Sequence, residues 1–185
     1  MKPEEIYDKF KDMKYGYFDK NGSMLSHISD GFLKYFRSQT IEHLEEYKTG
    51  TCWETVELLR YYLEKNGYEC KSYFFVIPYG KFYNHALITY KNNNKYCWME
   101  ISLSKLNGIR EYDSLKDLFF DLLDHFDIVM PNKEISYKDM KITEYSKVKE
   151  NSSCLQFFYH CFGGKNITKE YIPEYLKYLA QKQNK

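Results

Sequence analysis

The chain has 185 residues, of which 43% are hydrophobic and 19% aromatic, with 20 Tyr and 13 Phe. That load suits one packed domain and excludes a disordered chain, which combines few aromatics with high net charge. With 27 basic against 26 acidic residues the formal charge is +1; the basic excess of a nucleic-acid binder is missing, and no nucleic-acid partner is expected.

The first stretch, MKPEEIYDKFKDMKYGY, mixes acids among its bases and has no apolar h-region, so it does not read as a signal peptide. The longest apolar runs, such as 73–77, are far too short to span a bilayer. The expectation is a cytoplasmic chain with no membrane partner. Five cysteines, an odd number with no C-x-x-C among them, fit free thiols in a reducing compartment. With no repeat, no linker and four scattered prolines, the sequence predicts a single domain over 1–185. Its catalytic core would span about 38–128, with a C-terminal strand and helices over 130–185 packed on it.

In chain order, residues 4–15 alternate apolar and charged side chains as a short surface helix would, and Asn21-Gly22 is a turn signal. Residues 38–47 predict a helix with Thr40 as N-cap. The strongest helix signal covers 52–66. Thr51 stands three residues before Glu54 in the T-x-x-E capping box, Val56, Leu59 and Leu63 form the apolar stripe, and Gly67 suits the position after the end. Three strand-like runs follow at 72–77, 84–90 and 96–102, the last two joined as a hairpin across Asn92-Asn93-Asn94. Residues 114–126 predict an amphipathic helix capped by Ser114. After it come a short strand at 141–145 and terminal helices at 155–162 and 171–181. One strong helix followed by antiparallel strands predicts an α+β fold.

The capping box puts Cys52 at the first helical position. Unpaired N–H groups and the helix dipole there favour a thiolate and can hold a developing oxyanion. Gly50 lets another backbone approach closely. A thiol nucleophile also needs a base, and the base an orienting partner. His85 opens one strand of the hairpin and Glu100 closes the other, both at the end away from the turn. They share a face only if opposed residue numbers sum to an odd value, which requires a two- or four-residue turn or a bulge. A three-residue turn pairing Lys91 with Lys95 would put them on opposite faces.

The segments Thr49-Gly-Thr-Cys52-Trp-Glu, Leu59-Arg-Tyr-Tyr-Leu-Glu-Lys-Asn-Gly67, Asn84-His85-Ala-Leu-Ile and Trp98-Met-Glu100 together resemble the core of the transglutaminase-like superfamily over about residues 49–112. Papain-like proteases and arylamine N-acetyltransferases resemble it more distantly. The resemblance implies a nucleophile-bearing helix packed on an antiparallel sheet, with Cys52 as nucleophile, His85 as general base and later acid, and Glu100 orienting the imidazole. Transglutaminases typically carry Asp at the third place, so Glu100 is a departure. The implied chemistry is acyl transfer from a protein, peptide or small amide through a thioester, by hydrolysis, deamidation or transamidation, without a cofactor. By similarity to papain-like enzymes, Gln39 would offer an oxyanion amide. Trp53 would wall the pocket or sit in the core. Cys97 alternates away from Glu100 into the core, and Cys154 and Cys161, on one helical face beside His160, read as core and not as a metal site. His27, His43 and His125 show no partner in the sequence. The alternative is a catalytically silent binding module of the same fold, its Tyr-rich surface suited to recognition.

Overall fold

The computed structural model describes residues 1–19, 21–25, 30–77, 83–126 and 136–183. Helix α1 (Pro3–Phe10) starts with Pro at its first turn and acids Glu4 and Glu5 near its N-terminus, where the dipole favours them. It is shorter than the predicted 4–15 and is not confined to the surface, since Ile6 and Phe10 are fully buried. The chain leaves the helix because residues 14–15 form β1 (Lys14–Tyr15), which pairs in parallel with β4 (Thr49–Gly50). Between them lie a small hairpin of β2 (Tyr17–Phe18) and β3 (Met24–Leu25), then α2 (Asp30–Tyr35) and α3 (Ile41–Tyr47). Thr40 caps α3 as predicted, its hydroxyl accepting from the His43 N–H.

Helix α4 (Cys52–Lys65) follows, and Gly67 beyond its end has φ +84°, a conformation that a side chain would strain. Strands β5 (Cys70–Ile77), β6 (Tyr83–Asn92), β7 (Lys95–Glu100) and β8 (Gly108–Tyr112) come next, then α5 (Leu115–Asp124) and β9 (Lys141–Tyr145). The described chain ends with α6 (Cys154–Phe162), β10 (Lys165–Asn166) and α7 (Thr168–Gln183). The predicted helix over 114–126 keeps its Ser114 cap, whose hydroxyl accepts from the Asp117 N–H. The predicted hairpin, helix and 141–145 strand are all present, and the fold is α+β.

One six-stranded antiparallel sheet, in the order β10-β9-β5-β6-β7-β8, organises the chain. The C-terminal strand β9 is therefore hydrogen-bonded beside β5 inside this sheet. Phe74 and Val76 of β5 with Ala86 and Ile88 of β6 join the cluster that holds α1, α4 and α6, whereas Tyr73, Phe75, Ile77 and Leu87 join that of α5 and α7. Being buried on both faces explains why β5 reads as an unbroken apolar run. Cys97, Cys154 and Cys161 are buried in the α4 cluster, as the alternation and helical spacing predict.

The β6–β7 turn holds two residues, not three. Asn92 pairs with Lys95, and Asn93 and Asn94 turn the chain at φ 47° and 64°. Two successive left-handed residues form the I′ geometry that matches the twist of a hairpin, and Asn tolerates it. A second long-range tie holds the segment before α3. The Ser38 N–H donates to the Ser152 carbonyl, the Ser38 carbonyl accepts from the Asn151 N–H, and the Ser38 hydroxyl accepts from the Ser152 N–H at 2.9 Å. Among the described residues no helix is long and apolar enough to cross a membrane.

Replacing Asn94 by Gly is expected to raise the urea midpoint slightly. Asn94→Val, β-branched at a positive φ, is expected to lower stability by about 1–2 kcal/mol. Equilibrium urea unfolding of the two variants checks both signs.

Candidate active site

Cys52 occupies the first residue of α4, where the sequence puts it. The capping box is built around a buried acid. The Glu54 carboxylate accepts from the Thr51 N–H (3.0 Å) and hydroxyl (3.1 Å), and its other oxygen from the Gln39 N–H (3.0 Å). Burial is the largest influence on Glu54; it outweighs these donors and pushes the carboxyl up to about 7. One side chain thus fixes the cap and ties the chain before α3 to the start of α4.

The next residue fixes the first turn over the sheet. The Trp53 indole N–H donates to the Asn84 side-chain oxygen at 2.7 Å. The ring packs among Phe32, Phe36, Phe74 and Phe157, stacked on the last at 4.9 Å. Trp53 is a core residue, and its polar edge holds α4 against the start of β6, one residue before His85.

The two-residue turn satisfies the parity condition. Ile88 faces Met99, so one further step sets Leu87 opposite Glu100 and gives His85 and Glu100 the same face. The β6–β7 ladder ends at that Ile88–Met99 pair, while His85 remains paired with Phe75 of β5. The two side chains meet where β6 and β7 part, with His85 Nε2 2.8 Å from Glu100 Oε2. The longer Glu side chain therefore reaches the imidazole, and its second oxygen accepts from the Ser102 N–H (2.6 Å), the Ser102 hydroxyl (2.7 Å) and the Leu103 N–H (3.2 Å).

With Nε2 engaged by Glu100, Nδ1 is the ring nitrogen left to face the Cys52 thiol, whose sulfur lies near enough to act on the imidazole. Burial by itself would lower the pKa of His85. Attraction to the Glu100 carboxylate, then the nearby Cys52 sulfur and the hydrogen bond with Glu100, overcome it and hold the imidazole well above its ordinary value. Burial works against Glu100 too, and His85 and the Ser102 donors bring its carboxyl below the usual range. The pair favours imidazolium and carboxylate. Cys52, His85 and Glu100 are only 6%, 1% and 3% exposed.

Tyr15 is a neighbour that the sequence does not reveal. Its pairing with Gly50, two residues before Cys52, carries its phenol to the thiol. Burial, then the nearby Cys52 sulfur, then the carboxylates of Glu54 and Glu100 hold the phenol well above its ordinary pKa. Nothing local marks this one tyrosine among 20, because the contact depends on a two-residue parallel bridge.

Gln39 is tied to the site differently from the sequence expectation. Its side-chain amide donates to the Arg37 carbonyl at 2.6 Å, and its backbone N–H serves Glu54. The other four thiols are all pushed up by burial, Cys70 to about 12 and Cys97 and Cys154 to about 11, with Cys161 higher still. Among the described residues no group of three or more His, Cys, Asp or Glu side chains could hold a metal ion. His43 stacks on Tyr47, His125 bonds the Asp121 carbonyl through Nδ1 at 2.8 Å, and His27 lies outside the described residues. No protein-family model matches the chain, and no curated protein matches it.

The raised Glu54 value fixes a sign. The folded carboxyl holds its proton to about 7 and the unfolded one loses it near 4.5, so the folded state binds more protons in between. Stability from this group is complete below pH 4.5 and falls as pH rises towards and through 7, by roughly 3 kcal/mol at most. Carbon-13 NMR of the glutamate carboxyls should show one resonance titrating near pH 7 and missing in Glu54→Gln, whose stability should lose this decline.

Proposed function

We propose that the chain is a thiol-dependent acyl-transfer enzyme of the transglutaminase-like kind, acting on an amide or related acyl group. The observation that carries this reading is the buried His85–Glu100 pair, 2.8 Å apart, set against a cysteine at the first position of a capped helix. A buried charge pair is costly to desolvate and a poor device for stability alone. Beside a thiol it has a chemical use.

In this reading the Cys52 thiolate, balanced by the His85 imidazolium, adds to the substrate carbonyl carbon. The first N–H groups of α4 stabilise the oxyanion. The imidazolium passes its proton to the leaving amine, the C–N bond breaks, and a thioester to Cys52 remains. Neutral His85 then takes a proton from the incoming water or amine as it attacks the thioester, the C–S bond breaks, and the thiolate–imidazolium pair is regenerated. Glu100 holds the ring by its Nε2 side throughout, so that Nδ1 is the nitrogen that moves protons.

A second reading, the catalytically silent binding module, is favoured by one observation: the three side chains are almost fully covered. The readings separate on thiol reactivity. Iodoacetamide at about pH 6, followed by peptide mass spectrometry, is expected to label Cys52 ahead of the other four thiols. The rate at Cys52 should fall in His85→Ala by about 10²–10⁴-fold, the range of a lost acid–base partner. Slow and uniform labelling of all five cysteines would establish the silent module instead.

A further inference from the structure

Along the second half of α4, a cleft of about 200 Å³ opens between the helix and the segment after β9, lined by Glu57, Arg60, Tyr61, Glu64, Lys65 and Lys147. Its floor is Arg60, only 6% exposed. A guanidinium has five N–H donors in a fixed fork, and this one is poorly served. Among the described residues it makes one long contact, Nη2 to Glu57 Oε1 at 3.4 Å, and it lies against the Tyr145 ring at 5.5 Å. Its Nε is buried without a hydrogen-bond partner among the described residues. Buried donors are nearly always satisfied, and one that is not calls for a water, an ion or a function.

We infer that this cleft binds the phosphate group of a small molecule, with Arg60 at its floor and Lys65 and Lys147 at its rim. Three cations line it against two carboxylates, and Glu57 is already engaged by Arg60 and by the Val148 N–H at 3.3 Å. The cleft is therefore left with a positive charge for its occupant. The arginine fork matches phosphate oxygens geometrically, and exposed lysines contribute as mobile point charges. The volume is several times that of a water, about 30 Å³, and below the 300–1,000 Å³ typical of sites for larger ligands. That suits a phosphate group with little attached. The inference uses no residue of the triad and stands whether or not Cys52 is a nucleophile.

Calorimetric titration with inorganic phosphate and, separately, glycerol 3-phosphate, at ionic strength held constant with chloride, tests it. Saturable binding is expected for at least one probe, and the tighter of the two shows whether the ligand is the free ion or an ester. Lys147→Ala, at an exposed position, should weaken binding about tenfold, and Arg60→Gln should abolish it. If Arg60→Gln does not fold, the Lys65→Ala, Lys147→Ala double variant replaces it and should bind at least a hundredfold more weakly. Absence of saturable heat with both probes overturns the inference, as does undiminished binding by Lys147→Ala and the double variant.

Discussion

The pairing of Asn92 with Lys95 leaves only Asn93 and Asn94 to turn the chain, and the parity set there governs everything at the far end of the hairpin. Because side chains alternate strictly along a strand, this register gives His85 and Glu100 one face, and a one-residue slip would part them. The same register places Cys97 and Met99 against α4 and Trp98 against α5. Core packing and the candidate site therefore reinforce one another. A slip that lost the His85–Glu100 bond would also turn Trp98 out of its cluster.

Around that hairpin the polar groups of the site are satisfied almost to completion. Glu100 accepts from Ser102 and Leu103 as well as meeting His85, and Glu54 accepts three donors. A buried carboxylate without such partners would take up a proton. The two acids differ in outcome for a clear reason. Glu100 has an imidazolium beside it and its carboxyl is driven down, whereas Glu54 has neutral donors only and burial prevails. One acid is thereby poised to hold a cation in place, and the other to hold the helix start together.

What could be read from the sequence is what local chemistry determines. The α4 capping box, the Thr40 and Ser114 caps, Gly67 and the alternation of Cys97 against Glu100 all depend on neighbours within a few residues. The limits of α1 could not be read the same way, because Tyr15 leaves the helical pattern for a partner at Gly50. Strand β8 has no apolar alternation to announce it. It is an edge strand, its residues half-buried or exposed, and Arg110 lies over the Trp98 ring. The Gln39 expectation followed a similarity to papain-like enzymes, whereas its place depends on a buried glutamate fifteen residues further on. The Arg60 cleft likewise needs Lys147, which only the packing of β9 brings near α4.

The Ser38 tie has a consequence for the order in which the molecule is made. Gln39, the residue that donates to Glu54 at the start of α4, follows directly on Ser38, and Ser38 is bound to Asn151 and Ser152, more than 110 positions later. Strand β9, which covers the free edge of β5, also comes from this late part of the chain. A chain synthesised from its N-terminus folds as its parts emerge. The hairpin and α4 can form early, but the segment leading into the thiol is not pinned until Asn151 and Ser152 have left the ribosome. Any reactivity of Cys52 that depends on this scaffold is therefore withheld from the nascent chain.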